Sequence, residues 1–368
     1  MIGKTKRTTA RIGIALKQNR LALAFVATWV LLNAAAFHLV LGLDAGDALL
    51  SAACIRHGDG TWAHFYTGFT EVVVFGAIAS FVVANVTRHY RPEATCAELA
   101  RHARDHVLVV GYSHLGERVR EIATAAGADV VVVEQDRALA QGLVRDEEPV
   151  VFGSMSDASV LEASGAAHAA VVVVATDDLE EAAIACRVVR AKNPRCELVV
   201  RCADDDVGKA LARAYGARAV STSRIAANLV AQRASKIGSR RAIIVGKNSL
   251  AARVAESLAS SNVEVTAVAS EAELMAAPLA NTQLVVFAED DLGKNLVYAD
   301  RVRDVNATVE IIARVFHEDA AQILANAPFR CTLVSTSRLA AQTLVQAGLL
   351  KRVTDPDARA ARAAAAMG

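Results

Sequence analysis

Between His106 and Asp136 the chain reads HVLVVGYSHLGERVREIATAAGADVVVVEQD. An apolar run, Val107 to Val110, meets a tight Gly111-Tyr112-Ser113-His114-Leu115-Gly116 turn, passes into a helical pattern and returns as a second run, Val130 to Val133, closed by Glu134 and Gln135. This order predicts a strand, turn, helix and strand. Such a turn aims the first backbone N–H groups of the helix at a phosphate, and an acid about 20 residues on accepts hydrogen bonds from a ribose 2′-OH. Ser113 stands where a dinucleotide enzyme has its second glycine; a side chain there crowds a pyrophosphate, although its hydroxyl is small and offers a donor of its own. The stretch is therefore a candidate adenine-nucleotide site, with an unoccupied structural fold as the alternative.

Composition points to a membrane portion. The chain has 368 residues, room for two or three domains, yet it is 54% hydrophobic with a mean hydropathy of +0.31. A formal net charge of +1 gives no basic field for nucleic acid. The six cysteines are scattered without metal or redox spacing and read as reduced structural thiols.

Residues 1–20 form a basic segment with Lys4, Lys6, Arg7, Arg11, Lys17 and Arg20. The apolar run 21–43 follows and at about 1.5 Å per residue is long enough for a bilayer. A second run, 65–87, ends near Arg88, His89 and Arg91, so both ends of the pair fall on the cytoplasmic side, as do both termini. Between them, residues 44–64 hold a short apolar piece, Ala48 to Ile55, too short to span and hence expected to be re-entrant. Within the second run Glu71 needs a partner or water, since an unpaired carboxylate at that depth costs on the order of 3 kcal/mol. Gly76, near the middle, reads equally as a gating hinge or a close helix contact.

This hairpin resembles a two-helix potassium-channel pore. The family filter T-x-x-T-V-G-Y-G-D aligns without a gap on Ser51-Ala52-Ala53-Cys54-Ile55-Arg56-His57-Gly58-Asp59. Gly58 and Asp59 match; Cys54 and Ser51 replace threonines, Ile55 valine, His57 tyrosine, and Arg56 the first glycine. Four arginines at a pore axis would repel one another and any cation, so Arg56 is expected to turn toward Glu71, or toward Asp59, with selectivity for potassium lost.

Residues 89–104 are charged and read as a linker, helical from Glu93 to Arg104. Residues 105–236 then alternate strand and helix as a parallel, doubly wound α/β sheet does. The segments VVFGSMSDASVLEASGA, AVVVVATDDLEEA, ELVVRCADDD and GARAVSTSRIAANLV resemble, in that order, the RCK/TrkA-N (KTN) family that regulates potassium channels and transporters. The resemblance implies that Gly111, Gly116, Glu134, Gly153 and Thr176 surround bound NAD(H), ATP or ADP. Ser154 stands where the family usually has aspartate. Arg201 and Ala203 stand where a calcium-gated branch has carboxylates, so no calcium site carries over, and Asp177, Asp178, Asp204, Asp205 and Asp206 read as a solvated acidic rim.

A second, shortened Rossmann-like copy occupies residues 240–350. Val220-Ser221-Thr222-Ser223-Arg224 returns as Val334-Ser335-Thr336-Ser337-Arg338 and Arg201 as Arg314, whereas Gly111 returns only at Gly246. The copy has therefore lost about 21 residues, including the counterpart of the Gly153 segment, between Val268 and Val285. Its turn lacks the closing glycine, and Ala269-Ser270 stands in place of Glu134, so it is expected to be a structural partner. Residues 351–368, rich in Ala and Arg, read as a disordered tail.

The pore resemblance implies four identical chains in an inner membrane, in contact with lipid and monovalent cations, with two repeats per chain giving an eight-unit cytosolic ring. The expected function is a nucleotide-gated, channel-like protein; the alternative is a non-conducting, membrane-anchored nucleotide sensor. No Ser-His-Asp, HExxH or Walker pattern occurs, so no enzymatic activity is expected.

Overall fold

The computed structural model describes residues 20–53, 66, 68–70, 72, 73, 76, 79, 92–317 and 319–355. Two compact units result, one holding residues 1–102 with 144–148, the other residues 103–143 with 149–368.

In the first unit α1 (Arg20–Leu41) is long and apolar enough to cross a membrane over Ala24–Leu41. It stops two residues short of the apolar run's end because Gly42 takes the left-handed conformation, φ +66°, that terminates helices. Asp44 then caps α2 (Ala45–Ala52) by accepting from the Gly46 N–H. Eight residues cannot span a bilayer, and α2 packs back on α1 through Phe37, Ala48, Ala52 and Tyr66. The Tyr66 hydroxyl donates to the Ala52 carbonyl at 3.0 Å, and its ring meets Phe37 edge-on at 4.7 Å. The backbone is helical at Tyr66, Gly68, Phe69, Thr70, Val72, Val73, Gly76 and Ala79. Among the described residues, nothing lies within 4 Å of where a Cβ on Gly76 would be. Cys54, Ile55, Arg56, His57, Gly58, Asp59 and Glu71, and with them the expected Arg56–Glu71 pair, lie outside the described residues. The linker helix α3 (Pro92–His102) begins on a proline, whose missing N–H is harmless in a first turn, and ends two residues before Arg104.

The second unit contains two parallel sheets. The first runs β3-β2-β1-β4-β5-β6, with β1 (Val107–Val110), β2 (Val130–Glu134), β3 (Val150–Phe152), β4 (Val171–Val174), β5 (Glu197–Arg201) and β6 (Arg218–Val220). The central strands are valine-rich and buried on both faces, as helix-covered parallel strands must be. The second runs β11-β10-β9-β7-β8, with β7 (Arg241–Val245), β8 (Glu264–Val268), β9 (Leu284–Phe287), β10 (Glu310–Arg314) and β11 (Thr332–Val334). It reproduces the first sheet with the β3 position missing, which is where the sequence had located the deletion.

The helices show why two copies occur in tandem. After α4 (His114–Ala125) and α5 (Leu179–Lys192), helix α6 (Thr222–Lys236) leaves β6 and buries Ala226, Ala227, Val230 and Ala234 against Ala242, Ile244, Leu284 and Val286 of the second sheet. There it lies beside α7 (Ser249–Ala259). After α8 (Leu292–Val305), the last long helix, α9 (Thr336–Gln346), packs on α4 of the first repeat and on α6. The first repeat thus lends its closing helix to the second sheet, and the closing helix of the second repeat bridges that helix and α4 of the first.

Paired polar anchors mark the duplication. Arg190 donates to the carbonyls of Tyr215, Pro194 and Cys196, and Arg303 to those of Phe329, Ala307 and Val309. Asn193 donates to the Ala166 and Ala169 carbonyls in the turn before β4, Asn306 to those of Leu279 and Thr282 in the turn before β9, and each accepts one N–H or more in return. At the start of the expected disordered tail, Lys351–Thr354 instead form one further helical turn that buries Val353. Residues 356–368 lie outside the described residues.

His106, just before β1, is fully buried and neither ring nitrogen makes a well-formed hydrogen bond. Burial pushes its pKa down from 6.5 to about 4, and the Ser164 backbone offsets this only in part. The unfolded chain therefore takes up this proton first. Stability should be complete above about pH 6.5 and fall by about 3 kcal/mol as the pH drops toward 4. Urea unfolding of wild type and His106→Leu at several pH values measures it: the variant should lose this slope, and equal slopes would refute the assignment.

Candidate functional site

The first repeat's turn is built by close backbone approach. Gly111 has φ +92°, and a Cβ on it would come within 3.0 Å of the Thr176 nitrogen and 3.1 Å of the Met155 sulfur. A Cβ on Gly116 would lie 2.2 Å from the Gly111 carbonyl oxygen. Only glycine at both positions lets α4 start directly off the end of β1. Gly153, φ +154°, is tied to β2 by its N–H to the Glu134 carbonyl, and a Cβ on it would strike Val160. The residues singled out on β1, β2, β3 and β4 therefore converge at the carboxyl ends of adjacent strands, where open α/β sheets bind ligands.

Three side chains depart from the simplest reading of the sequence. The Ser113 hydroxyl is not offered to a phosphate; it donates to the Ala175 carbonyl at 2.7 Å. That bond ties the turn to β4 and leaves the N-terminus of α4 without a side-chain cap. The first N–H groups of α4, which the positive end of the helix dipole reinforces, are thereby left for an anion. Leu115 is 1% exposed and belongs to the core, so only its backbone is on hand for a ligand. Glu134 is 5% exposed and binds the turn itself: one oxygen accepts from the Tyr112 N–H at 2.6 Å, the other from Gln135 and Asp136 at 2.7 and 2.8 Å. A carboxylate has about four acceptor directions, so about one remains for a ribose hydroxyl. Gln135 itself is exposed. Ser154, in place of the acid usual there, pairs with the Ser156 hydroxyl, and Thr176 accepts from the Asp178 N–H.

The acidic rim is exposed except at half-buried Asp205, and most of its members have structural tasks. Asp178 and Asp204 cap helices, Asp177 pairs with Arg201, and Asp205 pairs with Arg224 and Arg253.

Sequence reasoning missed what the second repeat brings to the turn. The His114 ring stacks on Phe316, with centroids 3.8 Å apart and planes within 15°, while Arg118 of α4 donates to the Phe316 carbonyl at 3.2 Å. Arg314 lies over the same phenyl ring at 4.8 Å. No short motif marks Phe316; it reaches the site because α6 and α9 hold the repeats together. Near the β2 end, Arg137 lies over the Phe152 ring at 5.2 Å.

The corresponding turn of the second repeat is closed. Asn248 donates to the Ala288 carbonyl, as Ser113 does to Ala175, but its own oxygen accepts from the Ala251 N–H and caps α7. An anion there would have to displace that cap.

Residues 107–223 match the TrkA-N domain model. These residues therefore form a TrkA-N domain, and a second Rossmann-like repeat with a sheet of its own follows it. Its fold is that of the GsuK channel: the crystal structure of GsuK bound to ADP superposes with a TM-score of 0.70, covering 93% of this chain and 99% of that one at 18% identity. The GsuK channel bound to NAD gives 0.64 with 93% and 84% covered at 14% identity, and a further GsuK channel structure 0.68 with 92% and 99% covered at 19% identity. At these identities the likeness is one of fold. No curated protein sequence matches the chain.

Proposed function

We propose that the protein is a tetrameric, channel-like membrane protein whose ring of eight cytosolic repeats senses an adenine nucleotide bound in the first repeat. The observation that carries this reading is the uncapped, glycine-built turn before α4, set against the self-capped turn of the second repeat. Likeness of fold to GsuK along nearly the whole of both chains supports it, since GsuK structures hold ADP and NAD. In the membrane unit, α2 returning onto α1 fits a re-entrant element in a two-helix hairpin, with the basic N-terminus and the repeats on the cytoplasmic face of an inner membrane. A nucleotide then moves the gate only by its differential affinity for open and closed rings. The reading is not that of an enzyme, in keeping with a sequence that holds no Ser-His-Asp, HExxH or Walker pattern.

A second reading, a non-conducting nucleotide sensor anchored by the hairpin, is favoured by one feature, Arg56 at the first filter glycine. Flux from proteoliposomes separates the two. We expect cation flux that responds to nucleotide and distinguishes potassium from sodium poorly, from a species that native mass spectrometry in detergent records as a tetramer. No flux from tetramers would leave the sensor; monomers or dimers alone would remove the channel.

A further inference from the structure

We propose that His114 is a proton-linked phosphate ligand, held beside the turn by Phe316 and Arg314 of the second repeat, so that nucleotide binding takes up a proton there. The inference rests on the nucleotide reading above and adds to it a ligand group, a contribution from the second repeat, and a dependence on pH.

The argument begins with position. His114 is the first residue of α4, next to the N–H groups that Ser113 leaves uncapped. An anion drawn to those groups lies within the reach of this imidazole, and a helix N-terminus by itself disfavours a cation, so a histidine there becomes favourable only with an anion present. The ring is also fixed, because it stacks on Phe316 at 3.8 Å and Arg118 holds the Phe316 carbonyl.

Charge supplies the switch. The Arg314 guanidinium already lies over the Phe316 ring, and its Nε is buried without a hydrogen-bond partner. A phenyl ring attracts a cation to its face, so Arg314 helps to fix the ring on which His114 stacks. His317 lies edge-on to His114 with centroids 6.0 Å apart. Around the imidazole, Glu117 on α4 and Asp290 after β9 favour its charge, whereas His317 and Arg201 oppose it. Burial outweighs each of these, and the His114 pKa is lowered. The ring is therefore neutral at neutral pH until a phosphate beside α4 supplies the negative charge that the surroundings lack. The proton comes from solvent and returns there on release. Since protonation alters a stack between the repeats, the second repeat registers occupancy of a site it does not contain.

Full-length protein in detergent, titrated calorimetrically with NAD⁺ and with ADP in pairs of buffers of different ionisation enthalpy between about pH 5 and about pH 8, counts the protons taken up. NAD⁺ carries a pyrophosphate diester that binds no proton in this range. For ADP, the difference between wild type and His114→Gln cancels the proton of its terminal phosphate. We expect wild type to take up about half to one proton more than His114→Gln near pH 6.5, and its affinity to rise several-fold per pH unit on acidification, about tenfold at most. Phe316→Leu should still bind while losing much of this slope. Equal proton uptake in wild type and His114→Gln would overturn the proposal and leave the nucleotide site standing. If His114→Gln abolishes binding, the wild-type count with NAD⁺ decides: uptake supports the proposal and none overturns it. Binding of neither nucleotide at any pH would remove the site and this inference together.

Discussion

Gly116→Ala is expected to abolish nucleotide binding and to destabilise the protein by about 3 kcal/mol, the larger end of overpacking. The added methyl would stand 2.2 Å from the Gly111 carbonyl oxygen and 3.0 Å from a methyl of Val109. The first neighbour is backbone and cannot rotate away; it belongs to a turn fixed on its other side by the close approach of Thr176. The axis of α4 must therefore shift, carrying its first N–H groups away from the place where a phosphate would sit. Gly142→Ala is the control, since a Cβ there meets nothing within 4 Å and the backbone is helical with no positive φ; it should be neutral or slightly stabilising. Calorimetry with NAD⁺, ATP and ADP, alongside urea unfolding, checks both variants. Retention of wild-type affinity by Gly116→Ala would show that the nucleotide, if any, binds elsewhere.

The second large effect is expected at Glu134. Its two oxygens serve three backbone donors, Tyr112, Gln135 and Asp136, from a side chain that is nearly buried. Glutamine keeps the shape but has one acceptor oxygen, so its NH₂ group must face at least one N–H. Hydrogen bonds to a charged acceptor contribute about 1.5–3 kcal/mol each, and an unsatisfied buried donor costs about 1–3 kcal/mol, so Glu134→Gln should lose about 3 kcal/mol. The loss should be local as well as global: amide exchange at Tyr112, Gln135 and Asp136 should accelerate well before the rest of β1 and β2. Nucleotide affinity should fall too, because the turn loses the group that fixes it and the ribose loses its acceptor. Unchanged exchange at Tyr112 would refute this account of the carboxylate.

Much of this was written in the chain as pattern. The valine runs of β1, β2 and β4 are too continuous for half-exposed strands, and their alternation with helical segments leaves few topologies other than a doubly wound parallel sheet. Gly111 and Gly116 announced the turn because only a residue without Cβ satisfies two close backbone approaches so near in sequence. The shortfall between the Gly111 to Gly246 spacing and the Arg201 to Arg314 spacing located the missing strand, since a deletion in a repeat is visible as a change of offset. The arginine and asparagine anchors keep the same spacing, Arg190 and Asn193 returning as Arg303 and Asn306, but they were not singled out in the sequence and their role emerged from the hydrogen bonds.

What only the tertiary structure decided is which atoms each side chain spends its valences on. Ser113 and Asn248 occupy matching turns and both bond the facing strand, yet the single oxygen of Ser113 is drawn to the Ala175 carbonyl and leaves its helix uncapped, whereas the amide of Asn248 donates with its nitrogen and caps with its oxygen. Glu134 was readable as an acid at a strand end, but not as the clasp of its own turn, because the Tyr112 N–H it accepts is brought to it by the pairing of β1 with β2. Phe316 was readable as nothing more than an aromatic after a strand. It lies 202 positions from His114 along the chain, and its contact exists because α6 is buried on the second sheet while α9 packs on α4 and α6, a consequence of burial that no local pattern encodes.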